Sequence, residues 1–261
     1  MAFRRTYFET EPQRINRWLG GLGVCSRREA EALILAGRVM IDEVLVTEPG
    51  RKISKGETLS LSDAEGGGLE PRFTVLIHKP VGIVSAQPEA GETPAVRLLT
   101  AERLRGDAPL IPPTNMSLPA IGRLDKDSRG LLILSNDGVL AKAVIGPDSA
   151  VDKAYQVRVT GRLTPAKIAQ LRHGLSLDGR KLRPAQVTQT GPDRLDFTLT
   201  EGRNRQIRRM CALVGLTVID LLRVRIGPIF LAGLEVGHWR MMSATEQEAL
   251  RSWPSSPPSS V

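Results

Sequence analysis

Residues 62–72 read SDAEGGGLEPR, and this stretch constrains the fold more than any other. Three consecutive glycines between acidic neighbours offer no apolar face to bury, and such chain behaves as flexible coil. One packed core has to end before it and another begin after it. The expected organisation is a small domain over residues 14–61, a linker over 62–72 and a larger domain over 73–250. The end of the chain, WPSSPPSSV, is too rich in proline and serine to pack, so residues 251–261 are expected to be a disordered tail.

The small domain reads as helices followed by strands. Ile15, Trp18, Leu19 and Leu22 recur at i, i+3, i+4 and i+7, the spacing of an amphipathic helix. Ser26-Arg27-Arg28-Glu29 has the form of a capping box, in which the serine oxygen takes the N3 amide and the glutamate reaches back. The helix it opens would bury Ala30, Leu33 and Ile34 and stop at Gly37. Short β-rich runs follow at Val39–Ile41, 44–46 and Thr58–Leu61. Tyr7 lies ahead of all this, in what reads as a frayed arm.

Arg27 and Arg28 fall in a first helical turn, where the macrodipole disfavours cations by a few tenths of a kcal/mol each. That choice makes sense where exposed helix amides and side chains meet a phosphate together. Eight Lys and Arg within residues 14–61 strengthen the reading. Arg14-Ile15-Asn16, the run from Gly23 to Glu31 with its Ser-Arg-Arg-Glu-Ala core, and Gly37-Arg38-Val39 resemble the S4 RNA-binding domain.

In the larger domain a strand is expected to begin at 75–77, and 131–134 is a buried apolar run ended by the turn-rich Ser135-Asn136-Asp137-Gly138. Tyr155, Val157 and Val159 alternate with Gln156, Arg158 and Thr160, which places the tyrosine on the apolar face of a strand. Thr164-Pro165 opens a helix that buries Ile168 and Leu171 and ends at Gly174. Leu195, Phe197 and Leu199 alternate again. Short strands with few helices indicate an α+β class with a mixed or antiparallel sheet. Residues 88–119, rich in Pro and Gly around a short possible helix at 96–104, read as an insertion or mobile loop.

The chain carries 36 Lys+Arg against 28 Asp+Glu, a net charge of +8, which favours a polyanionic partner. No run approaches the roughly 20 apolar residues of a membrane span. Cys25 and Cys211 are too few for a disulfide framework or a zinc site and read as buried small hydrophobes. The expectation is a cytoplasmic monomer that acts on nucleic acid.

Two clusters could carry chemistry. Gly122-Arg123-Leu124-Asp125 sets one carboxylate on a glycine-started turn. An Asp there is most often a structural cap; its company, and the lack of a better candidate, argue for more. Some eighty residues on, Arg203, Arg205, Arg208 and Arg209 crowd into seven positions. With Ile207, Met210, Cys211 and Val214 as an apolar helical stripe, Arg205 and Arg209 lie on its far face, suited to phosphates, while Arg208 at the margin can reach inward. The three histidines are scattered, and no metal-ligand cluster, nucleophile elbow or dinucleotide fingerprint is present.

The run from Gly122 to Leu131, Lys153-Ala154-Tyr155, the run from Glu201 to Cys211 and Arg223-Val224-Arg225-Ile226-Gly227 closely resemble the pseudouridine synthases of the RsuA/RluB/RluE/RluF group. The wording is most similar to the RluF subgroup, which implies ribosomal RNA, that of the large subunit, as substrate; the alternatives are a synthase acting on 16S ribosomal RNA or tRNA, and a non-catalytic S4-type RNA-binding or ribosome-assembly protein in which Asp125 only caps a turn. The resemblance implies an S4 domain joined by the linker to a mixed-sheet synthase domain. It implies that Asp125 is the catalytic carboxylate, acting on C1′ of the target ribose or taking its 2′ proton. Tyr155 would stack on the base, Arg208 would pair with Asp125, Arg123 would fill the space left by the extruded uridine, and Leu221 would line the uracil pocket. Arg27, Arg28, Arg203, Arg205 and Arg209 are the expected RNA contacts. No cofactor is expected, since isomerisation changes no redox state.

Overall fold

The chain divides into two units, Met1–Arg72 with Asp137–Val139, and Phe73–Asn136 with Leu140–Val261. The computed structural model describes residues 3–62, 72–108, 110–113, 116 and 118–253. Most of the expected linker, 63–71, and the tail from 254 lie outside the described residues.

The first unit contains β1 (Phe3–Thr6), β2 (Gln13–Arg14), α1 (Ile15–Gly21), α2 (Arg27–Leu35), β3 (Val39–Ile41), β4 (Val44–Leu45), β5 (Lys52–Ile53) and β6 (Thr58–Leu61). A four-stranded sheet runs β1-β6-β3-β4, and β2 pairs with β5. The capping box forms on both sides: Ser26 Oγ accepts from Glu29 N, and Ser26 N donates to Glu29 Oε2. Ile15, Trp18, Leu19, Ala30, Leu33 and Ile34 fill the core as their spacing requires.

Tyr7 departs from expectation. Its ring is buried edge-on against Trp18, with centroids 5.3 Å apart. The arm before it is β1, hydrogen-bonded in antiparallel register from Phe3↔Leu61 to Thr6↔Thr58. The run Phe3-Arg4-Arg5-Thr6 gains a strand conformation from its partner, which polar composition conceals.

The second unit is built on β7 (Thr74–Lys79), β8 (Ala120–Ile121), β9 (Arg129–Ser135), α3 (Gly138–Ile145), β10 (Lys153–Thr160), α4 (Pro165–Arg172), the hairpin β11 (Ser176–Leu177) and β12 (Arg180–Lys181), and β13 (Gln186–Gly191). There follow β14 (Arg194–Leu199), α5 (Gln206–Leu213), β15 (Thr217–Ile226), β16 (Ile229–Phe230), β17 (Trp239–Met241) and α6 (Ala244–Arg251). The large sheet is ordered β13-β14-β10-β15-β9-β7-β17, with β16 on β15 and β8 on β9. Its pairs are antiparallel except β15 and β9, which run parallel through Leu222↔Arg129 and Arg223↔Gly130. The sheet is therefore mixed, and the fold is α+β.

α4 and α5 cover one face of β14, β10 and β15, burying Ile168, Leu171, Ile207, Met210 and Cys211 against Val157, Val159, Phe197 and Leu221. Burial pushes the Cys211 thiol up to about 12, and that of Cys25 up to about 11, so both behave as the small hydrophobes their setting predicts.

Two expectations for the ends of this unit are corrected. The segment 88–119 is not simply a loop: Ala95, Leu98, Leu99 and Leu118 are buried with Val75, Ile77 and Trp239. In place of one helix at 96–104 it forms two 3-10 turns, Ala95–Leu98 and Ala101–Arg103, and Trp239 Nε1 donates to Thr100 O at 2.8 Å. At the other end Arg251 completes α6, and Trp253 packs partly buried on a core that includes Leu250, so order extends past residue 250.

Candidate active site

The Asp125 turn is fastened from behind. Gly122 adopts φ +77°, which a side chain would resist, and Leu124 is buried. Ser85 grips Leu124 twice: its Oγ donates to the carbonyl at 2.7 Å and accepts from the amide at 2.9 Å. Gly82 N donates to Lys126 O at 2.8 Å. Arg223 Nη1 donates to Arg123 O at 3.3 Å, and its Nε to Leu131 O at 2.7 Å. Ser128 N closes the turn on the backbone carbonyl of Asp125 at 3.1 Å.

The Asp125 side chain takes no part in this. Among the described residues no hydrogen bond reaches its carboxylate, whose one ion pair is with Arg205 Nη1 at 3.7 Å. A capping aspartate would spend its oxygens on turn amides. This one, 33% exposed, presents them to a cleft of about 520 Å³. Tyr155, Leu221, Arg123, Lys153, Arg205 and Arg208 share that cleft with it. Tyr155 sits directly opposite Arg223 across β10 and β15, beside Val157↔Leu221, which places these groups on one face of the sheet.

The arginines divide their labour differently from the sequence expectation. Arg208 does reach inward, but its Nη2 donates to Asp127 O at 2.8 Å and its Nη1 to Val218 O at 3.2 Å, and its Nε lies 3.4 Å from Asp127 Oδ2. Among the described residues it makes no ion pair with Asp125; Asp127 and the Val218 carbonyl engage its guanidinium. Arg205 pairs with Asp125 instead, bridging it and, at 2.8 and 3.2 Å, both oxygens of Asp127. Arg205 adopts a left-handed backbone, φ +49°, at the N-cap of α5. Such a conformation costs a non-glycine residue of order 1 kcal/mol or more, and it aims the guanidinium at the two carboxylates. Burial raises the Asp127 carboxyl, yet the Arg205 hydrogen bonds and the charges of Arg208 and Arg205 outweigh it and hold the group below its ordinary value.

Arg203 donates to three carbonyls, Leu177, Arg180 and Lys181, and so clasps the β11–β12 hairpin. Arg209 pairs in two bonds with Asp178 at 2.6 and 3.0 Å and does not line the cleft. Both expected RNA contacts are thus engaged internally, because the hairpin brings carbonyls and a carboxylate to this end of α5. Arg123 is exposed at the cleft, and Arg27 and Arg28 are exposed on the first turn of α2.

Sequence reasoning passed over Ser85, Lys79 and Arg223 as functional residues. Lys79 is fully buried at the end of β7, its Nζ bonded to Pro80 O and Ile83 O at 2.8 and 2.7 Å. A lysine or arginine at the apolar phase of a strand, as Arg223 is beside Leu221, was the available signal. Among the described residues no three or more His, Cys, Asp or Glu side chains are placed to hold a metal ion, and no helix is long and apolar enough to cross a membrane.

Comparison with known proteins places the chain in a family. Residues 73–213 match the RNA pseudouridylate synthase family, and residues 13–59 match the S4 domain. The ribosomal large subunit pseudouridine synthase B of Bacillus subtilis (strain 168) is 32% identical over 92% of this chain and 96% of its own length. The dual-specificity RNA pseudouridine synthase RluF of Escherichia coli (strain K12) is 32% identical over 89% of this chain and 76% of its own. A crystal structure of a pseudouridylate synthase shares the fold, with TM-score 0.63 and 24% identity over 91% of this chain and 99% of the other. With a cleft that holds a lone carboxylate beside a tyrosine and five arginines, and with relatives matched over nearly its full length, the chain belongs to the RNA pseudouridylate synthase family, enzymes that convert uridine to pseudouridine, and carries an S4 domain ahead of the synthase domain.

Proposed function

We infer that this enzyme isomerises a uridine of large-subunit ribosomal RNA and that Asp125 is the carboxylate that does so. The observation that carries the reading is the Asp125 side chain itself, free of turn hydrogen bonds and set in the cleft with Tyr155. The 32% identity to a large-subunit synthase over 92% of the chain supports the choice of RNA.

A uridine within an RNA helix is out of reach of a carboxylate and has to be everted, at a cost of a few kcal/mol. Arg123, exposed at the cleft mouth, fills the space it leaves. Arg27, Arg28 and Arg205 bind phosphates and offset that cost. Asp125 either attacks C1′ or removes the 2′ proton. In each case the C1′–N1 bond breaks with its electron pair going to the uracil ring. The ring turns against Tyr155 and Leu221; C5 bonds to C1′ as the Asp125–C1′ bond breaks back onto the carboxylate, or as the Asp125 carboxyl returns its proton to C2′, and the C5 proton is lost. Arg205, which bridges Asp125 and Asp127, keeps the acting carboxylate charged and aimed, while Arg208 fixes Asp127.

The test is direct. The full chain is incubated with unmodified transcripts of large-subunit RNA, small-subunit RNA and tRNA, and pseudouridines are mapped. Modification of a large-subunit uridine, lost in Asp125→Ala with RNA affinity unchanged, is the expected result. Modification confined to the other transcripts overturns the substrate; activity surviving in Asp125→Ala overturns the residue.

A further inference from the structure

The cleft holds more buried positive charge than its carboxylate needs. Arg223 is 3% exposed, and its bonded donors end on neutral carbonyls, those of Leu131 and Arg123. Its Nη2 is buried with no hydrogen-bond partner among the described residues. Lys153 likewise spends its Nζ on carbonyls, Val151 O at 2.6 Å and Val144 O at 3.3 Å. Asp152, the acid beside it, is taken by Arg225 in two bonds at 2.6 and 3.0 Å. Both cations line the cleft, and Arg223 is the cross-strand neighbour of Tyr155. Burying cations against carbonyls alone is unfavourable unless a negative charge arrives. Burial, with the charge of Arg223 adding to it, pulls the Lys153 ammonium down to about 8, a sign that the surroundings supply too little negative charge.

The reaction brings that charge. When C1′–N1 breaks, the bonding pair stays on N1 and spreads over the two carbonyl oxygens, so the detached ring is an anion. Its carbon partner is taken by the Asp125 oxygen, or its sugar has given a 2′ proton to that oxygen. The ring returns the pair when C5 bonds to C1′, as the Asp125–C1′ bond breaks back onto the carboxylate or as the Asp125 carboxyl returns its proton to C2′, and the C5 proton then leaves. The charge exists only between the two bonds. We propose that Arg223 and Lys153 form the positive floor of the cleft that stabilises the uracil anion while it is detached from the ribose. This rests on the reading of Asp125 given above. It assigns the two residues an electrostatic part in the transition state, with no part in recognising the uridine before the bond breaks.

The experiment compares two large-subunit transcripts, one made with uridine and one with 5-fluorouridine, in single turnover with the full chain. Fluorine withdraws charge and stabilises the ring anion by itself, so help from the protein matters less. Consumption of the target nucleoside is read by nuclease digestion and mass spectrometry. Arg223→Met is expected to lose about 100-fold or more on the uridine transcript and less than about 10-fold on the fluorinated one. Transcript Kd should stay within about twofold, and Arg223→Lys should recover most of the rate. Lys153→Met carries the same expectation with a smaller loss, and decides the matter if Arg223→Met does not fold. Equal losses on the two transcripts, a parallel loss of affinity, or no recovery with lysine would leave Arg223 a structural clamp and overturn the proposal. A wild-type chain that leaves both transcripts untouched overturns the underlying substrate reading, and this one with it.

Discussion

β10 and β15 present arginines to both faces of the sheet, and the two faces treat them in opposite ways. Away from the cleft, Arg129, Arg158, Arg194, Gln156, Asp196 and Asp220 line a groove of about 450 Å³, close in size to the cleft of about 520 Å³. There each arginine finds an acid: Arg129 meets both oxygens of Asp220 at 2.9 and 2.7 Å, and Arg158 and Arg194 flank Asp193. On the cleft face Arg223 and Lys153 meet carbonyls. A pair neutralised within the protein contributes to stability and has little left for a ligand. An unneutralised cation is a poor stabiliser and a good site. Cleft size does not separate the faces; charge balance does.

The sharpest way to break this contrast is to neutralise one aspartate on each face. Asp125→Asn should remove uridine isomerisation to below detection with the thermal midpoint nearly unchanged, since no hydrogen bond holds that carboxylate. Asp220→Asn should do the reverse, keeping turnover and losing about 2 kcal/mol of stability with the charge-assisted pair. Nucleoside analysis and thermal melts check both. Loss of activity in Asp220→Asn with the fold intact would show that the two faces are not independent.

Next in size is the junction that joins the faces. Gly130 lies at φ +116°, where a Cβ would come within 2.3 Å of Arg223 O, because β9 and β15 run parallel there at close approach. Gly130→Ala should cost about 3 kcal/mol or more, as strained backbone and overpacking add. It should also lower turnover, since it displaces the strand that fastens the Asp125 turn. Denaturant melts alongside turnover decide it: a neutral melt would mean that the parallel pairing is soft.

Much of this was legible beforehand, and the residues show why. The capping box at Ser26 and Glu29, the alternation around Tyr155 and the Asp125 turn are local signals with their cause within a few residues. What escaped reading depends on distant partners. Tyr7 is buried because β6, more than fifty residues later, pairs with the strand ahead of it. Arg129 and Asp220 meet across 91 positions, and Arg223 stands opposite Tyr155 only through the antiparallel pairing of β10 with β15. Arg208 could be seen to turn inward, but Asp127, its partner, could not be told from Asp125 by spacing alone.

The acid limb offers a finer comparison. The Asp220 carboxyl is held below its ordinary 3.8, chiefly by the Arg129 hydrogen bond, against the opposing effect of burial. A group depressed in the folded state contributes stability above its unfolded value and loses it as pH falls through the folded one. The deficit of Asp220→Asn should therefore be constant above about pH 5 and shrink below 3.8, measured by urea melts across that range. A deficit that persists at the lowest pH would come from packing, and the pair would not explain it.

The smallest effect separates two arginines that the sequence made equivalent. Arg205 at the N-cap of α5 and Arg209 four residues on both pair with carboxylates, but Arg209 lies outside the cleft, whereas Arg205 lines it. If phosphates dock at the cleft, Arg205→Ala should lower the salt slope of RNA binding by about 1, the signature of one phosphate contact removed. Arg209→Ala should leave the slope unchanged, because Arg209 lies outside the cleft in which the RNA is held. Filter binding from low to moderate salt resolves a difference of that size. Equal slopes for the two variants would mean that a place in the cleft does not decide which arginines bind RNA.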